Sequence, residues 1–195
     1  MRTRRRLALA PLAALALFAL HAAASAAAPH ARSPYAGREA REIKALPPDE
    51  VQALLAGEGA GLALAAELNR YPGPRHVLEL AAELALTDAQ RRAARAIYER
   101  MREQAVRLGE AIVEQERVLD RAFAERAIDE PRLRTLVAEI ARLRGELRAV
   151  HLAAHLETAR LLSPEQIAEY AALRGYGGPA GPRGDGHTGR GRQEP

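Results

Sequence analysis

Between Asp88 and about Arg126 the chain has no proline and a single glycine, Gly109. Apolar side chains recur through this stretch at Ala94, Ile97, Met101, Ala105, Leu108, Ile112, Leu119 and Phe123. Steps of three and four residues place them on one helix face, with a break at Gln115. The spacing predicts one long helix. Glu103 with Arg107 and Glu99 with Arg102 are set as pairs on its wet side, each worth about 0.3 kcal/mol. Asp129 then stands as the N-cap of a second long helix, with Pro131 in its first turn. That helix carries Leu133, Leu136, Val137, Ile140, Leu143, Leu147, Val150 and Ala154 and reaches about Leu161. The short 127–130 connection folds the two back on each other as an antiparallel helical hairpin.

Shorter helices flank the hairpin. One runs from Pro48 through "DEVQALLAG" and stops near Gly57; a second piece, "LALAAELN", runs to Asn69. After the turn "YPGP" at 71–74, Pro74 opens a helix over about 74–84. A last helix begins after Ser163 and fades at "RGYGG". The fold class is all-α. Gly57, Gly59 and Gly61 follow no strand, so they are not a dinucleotide-binding loop.

Two short units mark helix starts. In "LTDAQ" at 86–90, Thr87 caps and Gln90 reaches back to the Thr87 N–H, which makes a capping box. In "LSPEQ" at 162–166, Ser163 caps, Pro164 takes the first helical position and Gln166 closes the box. Leu162 and Ile167 are spaced as a hydrophobic staple.

The termini read differently. Arg2, Arg4, Arg5 and Arg6 precede an apolar run from Leu7 to Leu20, and Ala24-Ser25-Ala26 offers a cleavage site. This is the pattern of a secretory signal peptide over 1–26, and the run is short for a membrane span. Residues 27–46, with Pro29 and Pro34, read as a flexible leader; 47–176 as the helical domain; 177–195, rich in Gly, Pro and Arg, as a disordered tail. The Arg183-Gly184-Asp185 tripeptide falls in that tail and is common by chance in such composition. The whole chain has 29 basic and 25 acidic residues, a formal charge of +4. Four arginines leave with the signal, so no net basic field remains to favour nucleic acid. Cysteine is absent, which excludes disulfides, thiolate ligands and a cysteine nucleophile. Aromatics are 4% of the chain, so the core must come from Ala, Leu, Ile and Val, which suit closely packed helices.

Chemistry concentrates in the histidines. "HLAAH" sets His151 and His155 at i and i+4, on one side of a helix, where two imidazoles can chelate Zn²⁺, Ni²⁺, Co²⁺ or Cu²⁺. No Glu follows His151, so this is not the metalloprotease motif. In the plainer reading both rings flank the Leu147/Val150/Ala154 seam and face water. Folding the hairpin sets His155 opposite about residue 100 and His151 opposite about residue 104. Folding the 74–84 helix back sets His76 within roughly 6 Å of the level of His155. His76, His151 and His155 are therefore the candidate metal ligands, with Met101, Glu99 and Glu103 at the same level. Nucleophile triads, phosphate loops and paired catalytic acids do not occur, so the chain does not read as an enzyme.

A signal peptide, an all-helical mature chain, "LTDAQ" opening a long helix and "LSPEQ" opening the last one together resemble the Spy/CpxP group of periplasmic proteins, named for paired LTxxQ units. The likeness covers about residues 74–175, and the second unit replaces Thr with Ser. It implies a bent, four-helix fold that pairs antiparallel into a cradle-like homodimer. It implies partners that are partly unfolded client proteins, held without ATP, or a membrane-bound stress sensor. Related heavy-metal-resistance proteins bind zinc, nickel or cobalt through histidines before the first unit and on the helix before the second. His76 occupies the first region, alone where those proteins have a pair and with Glu79 three residues on. His151 and His155 occupy the second. A structural periplasmic protein with neither activity is the third reading.

Overall fold

Six α-helices and no strand occur among the described residues, 32–176, of the computed structural model. They are α1 (Pro48–Ala56), α2 (Leu64–Glu67), α3 (Pro74–Glu79), α4 (Asp88–Ala124), α5 (Glu130–Leu161) and α6 (Pro164–Leu173). The signal peptide, the leader as far as residue 31 and the 177–195 tail lie outside the described residues. The chain divides into two units, Met1–Glu39 and Ala40–Pro195. In the first, the Ala36 N–H donates to the Ser33 carbonyl at 3.0 Å and the Arg38 guanidinium lies 5.2 Å from the Tyr35 ring centre.

In the second unit α4 and α5 form the hairpin, and α4 alone runs for 37 residues, about 55 Å. Asp129 caps α5 by accepting from the Arg132 N–H at 2.9 Å. One core joins Leu54 of α1 to Ala105, Ile112 and Val113 of α4 and Leu143 and Leu147 of α5. Ile43 and Leu46 are buried in the same core. Burying two large aliphatic side chains fixes residues 43–46, at the end of the stretch read as a mostly flexible leader. Lys44 adds to the anchoring through its N–H and its ammonium, at 3.1 and 2.7 Å from the Asp120 carboxylate. Gly109 lets α1 lie directly on α4, because a Cβ there would sit 2.0 Å from the Leu54 carbonyl oxygen.

A second core holds Val77 and Ala81, Leu84 and Leu86, Ala94 of α4, and Leu162 and Tyr170. The helix expected over 74–84 is shorter than that, although Val77, Ala81 and Leu84 of this core keep helical spacing. The chain instead leaves the α-helix at Glu79 and turns, with Ala85 in the left-handed region at φ 47. The piece expected to run to Asn69 is likewise helical only over Leu64–Glu67, and Arg70 (φ 66) ends it.

The two capping boxes are built into one structure. Thr87 Oγ1 accepts from the Gln90 N–H at 3.2 Å, and Gln90 Oε1 accepts from the Thr87 N–H at 3.0 Å. Ser163 and Gln166 repeat the pattern at 3.2 and 2.9 Å. The glutamine amides then pair with each other: Gln90 Nε2 donates to Gln166 Oε1 at 2.8 Å, and Gln166 Nε2 to Gln90 Oε1 at 3.2 Å. Gln90 Nε2 also donates to the Leu161 carbonyl (2.8 Å), and Gln166 Nε2 to the Leu84 carbonyl (3.0 Å). The start of α4, the end of α5 and the start of α6 are thereby clasped together.

Candidate functional site: a histidine-lined cleft

The segment from Gly57 to Gly73 crosses α5 and encloses a cleft of about 540 Å³. His76, His151 and His155 all line it, with Tyr98, Met101 and Arg102 from α4 and Glu67 from α2. The histidines of α5 do not face water: His151 is 4% exposed and His155 9%. Glycines make this possible. A Cβ on Gly73 would stand 2.9 Å from the Cε1 and Nε2 atoms of His155. Gly73 has an ordinary φ of −80, so the imidazole, not the backbone conformation, is what excludes a side chain there. A Cβ on Gly59 would come within 3.4 Å of His151 Nδ1.

Hydrogen bonding sets the ring orientations. His155 Nδ1 lies 2.7 Å from the Tyr71 carbonyl oxygen. A carbonyl only accepts, so Nδ1 carries the proton and Nε2 of the neutral ring holds the free lone pair. His76 Nδ1 donates to Glu79 Oε2 at 2.8 Å, which exposes Nε2 in the same way. That bond, first among the causes, holds the Glu79 carboxyl below the usual range. His151 Nε2 is sealed from solvent with no partner. Burial, and then the neighbouring His155, hold its ring below the usual histidine value.

Glu67 is the residue sequence reasoning passed over. It is 7% exposed. Its Oε1 accepts from the Tyr170 hydroxyl at 2.6 Å and the Tyr176 hydroxyl at 3.0 Å, and Arg174 Nε stands 3.6 Å away. Burial, and then this carboxylate, push the Tyr170 phenol well above its ordinary value. Glu67 Oε2 lies 3.6 Å from His155 Nδ1 and has no hydrogen bond. The available signal was a lone acid in an apolar run, "LALAAEL", where a solvated helix face would carry more charge.

Of the residues set at the histidine level, Met101 lines the cleft; Glu99 and Glu103 do not. Both are exposed on α4, and Glu103 is paired with Arg107. The three histidines share a cleft, yet among the described residues no group of three or more His, Asp or Glu is disposed to hold a metal ion. As they stand, the residues do not make up a metal ligand set.

The architecture defines a class: a helical-hairpin protein with matched capping boxes at two helix starts and no membrane-crossing helix among the described residues. The model of the LTXXQ motif family matches residues 74–174, and the chain belongs to that family, the Spy/CpxP type. This is not a known enzyme family. No curated protein and no solved structure matches the chain. The match begins at Pro74, so the cleft is assembled from both sides of it: the histidines lie within, and Gly59, Glu67 and Gly73 before it.

Proposed function

We propose that this chain is a periplasmic protein that holds partly unfolded polypeptides without ATP, working as a homodimer. The observation that carries this reading is an apolar strip of exposed side chains on the segment that borders the cleft. Leu64, Leu68 and Tyr71 are 54%, 59% and 42% exposed, while Ala66, Glu67, Pro72 and Gly73 between and beside them are buried. Leu64 and Leu68 stand one helical turn apart. Clustered apolar exposure of this kind marks interaction surfaces, not ordinary solvated structure. Mature protein at several-fold molar excess is expected to suppress light scattering by two dissimilar aggregating clients with no nucleotide present. A Leu64→Ser/Leu68→Ser variant should keep its helicity and lose about half the protection. Scattering unchanged by the unaltered protein would end this reading.

A second reading, a transition metal held by histidines, is favoured by the two fixed tautomers: His76 and His155 each turn Nε2 away from a hydrogen-bonded Nδ1, the usual support for a ligating imidazole. It requires the rings to draw closer than they now stand. Calorimetry with Zn²⁺, Ni²⁺ and Cu²⁺ on a chain ending at residue 176, which removes His187, tests it. Binding should weaken as pH falls, since a protonated ring has no lone pair to give. The His151→Ala/His155→Ala variant should bind nothing; undiminished binding there excludes this site.

A further inference from the structure

We propose that the cleft receives the ammonium group of a lysine side chain in the polypeptide held on the apolar strip. This rests on the polypeptide-holding reading and names what that surface selects.

The cleft is rich in acceptors that lack donors. Glu67 Oε2 belongs to a side chain more than nine-tenths buried, can only accept while ionised, and has no hydrogen-bond partner. The tautomers set by the Tyr71 carbonyl and by Glu79 make Nε2 of neutral His155 and His76 two further acceptors. An ammonium brings three N–H donors on a flexible stem and matches this wall. A carboxylate would set acceptor against acceptor, and an apolar group would leave the sealed oxygen as it is. The charges around the cleft do not repel a cation overall. Arg75 is bonded to Glu79 and Arg174 Nε stands 3.6 Å from Glu67, and the remaining charges of the lining are Arg102 and Glu58.

The route in is apolar. Ala60, Ala63, Leu64 and Met101 line the cleft and suit the four methylenes of a lysine, whose stem packs on apolar surface while its head seeks polar partners. Leu64 also belongs to the exposed strip, so a segment lying on Leu64 and Leu68 has the cleft within side-chain reach. Glu67 Oε2 touches no solvent, so the ammonium reaches it by displacing the wall around it.

The test compares two fluorescently labelled flexible peptides of Leu and Ser residues, one with a single central lysine and the other with acetyl-lysine there. Anisotropy is read with EDTA present to exclude metals. The full mature chain should bind the lysine peptide about ten-fold more tightly, as expected for hydrogen bonds to a charged group. Glu67→Gln and His76→Leu should each shrink that preference, and cadaverine should compete with the lysine peptide only. Equal affinity for both peptides overturns the inference and leaves the polypeptide-holding reading intact. Binding of neither peptide overturns both. If Glu67→Gln unfolds, the comparison on the unaltered chain and on His76→Leu still decides.

Discussion

Gly109→Ala should lower stability by about 3 kcal/mol, and Gly145→Ala, on the partner helix, should raise it by about 0.5 kcal/mol. Both glycines lie inside long α-helices, where alanine is intrinsically better by up to about 1 kcal/mol. Their surroundings differ. Beside Gly145 nothing lies within 4 Å of an added Cβ, so only the helix preference acts. At Gly109 the new Cβ would stand 2.0 Å from the Leu54 carbonyl oxygen and 2.6 Å from its carbon. The obstacle is backbone, which no rotamer change can move aside. α1 would have to lift by more than 1 Å, loosening Leu54 from Ala105, Ile112 and Leu147 in the core. Overpacking and lost burial together outweigh the helix gain. Urea melts of the two variants measure the contrast. Equal stability of Gly109→Ala and the unaltered protein would mean that α1 does not seat on α4 as described.

That glycine illustrates what the sequence carried and what it did not. Hairpin, caps and helix order were legible because they depend on local spacing: the three-and-four periodicity of α4 and α5, the short 127–130 link, Thr87 and Ser163 three residues before a glutamine. Gly109 stood out only as the single glycine of a long helix, because its role depends on Leu54, fifty-odd residues earlier in the chain. The same holds for Gly73, whose φ is ordinary and whose need for bareness comes entirely from His155. The histidines were found by spacing, but their burial was not, since the segment that covers them has weak periodicity and is mostly turns. Glu67 was missed for the same reason. A carboxylate on a four-residue helix has no local pattern, and its partners Tyr170, Arg174 and Tyr176 lie a hundred residues away.

The second large effect is expected at the paired glutamines, and it separates two explanations of the LTxxQ unit. If each unit were only a helix cap, Gln90→Glu should be nearly neutral, because glutamate also serves at the third position of a capping box and is favoured at a helix N-terminus. The structure asks more of Gln90. Its Nε2 donates to the Leu161 carbonyl and to Gln166 Oε1, and a carboxylate has no hydrogen to give. Glutamate at 90 would set an anion against both acceptors, in a half-buried place. Gln90→Glu and Gln166→Glu should therefore each cost about 2–3 kcal/mol, the range for stranding buried acceptors beside a charge. Thr87→Ala and Ser163→Ala, which remove a cap and leave the amide pair, should cost about 1 kcal/mol each. Because both glutamines belong to one clasp, the Gln90→Ala/Gln166→Ala double variant should lose at least 1 kcal/mol less than the two singles added, measured as the coupling in a double-mutant cycle. Strict additivity, or a harmless Gln90→Glu, would reduce the motif to two independent caps and leave the glutamine requirement unexplained. A measured coupling would instead say why the unit occurs twice: each copy is half of a contact that ties the entry of α4 to the turn between α5 and α6.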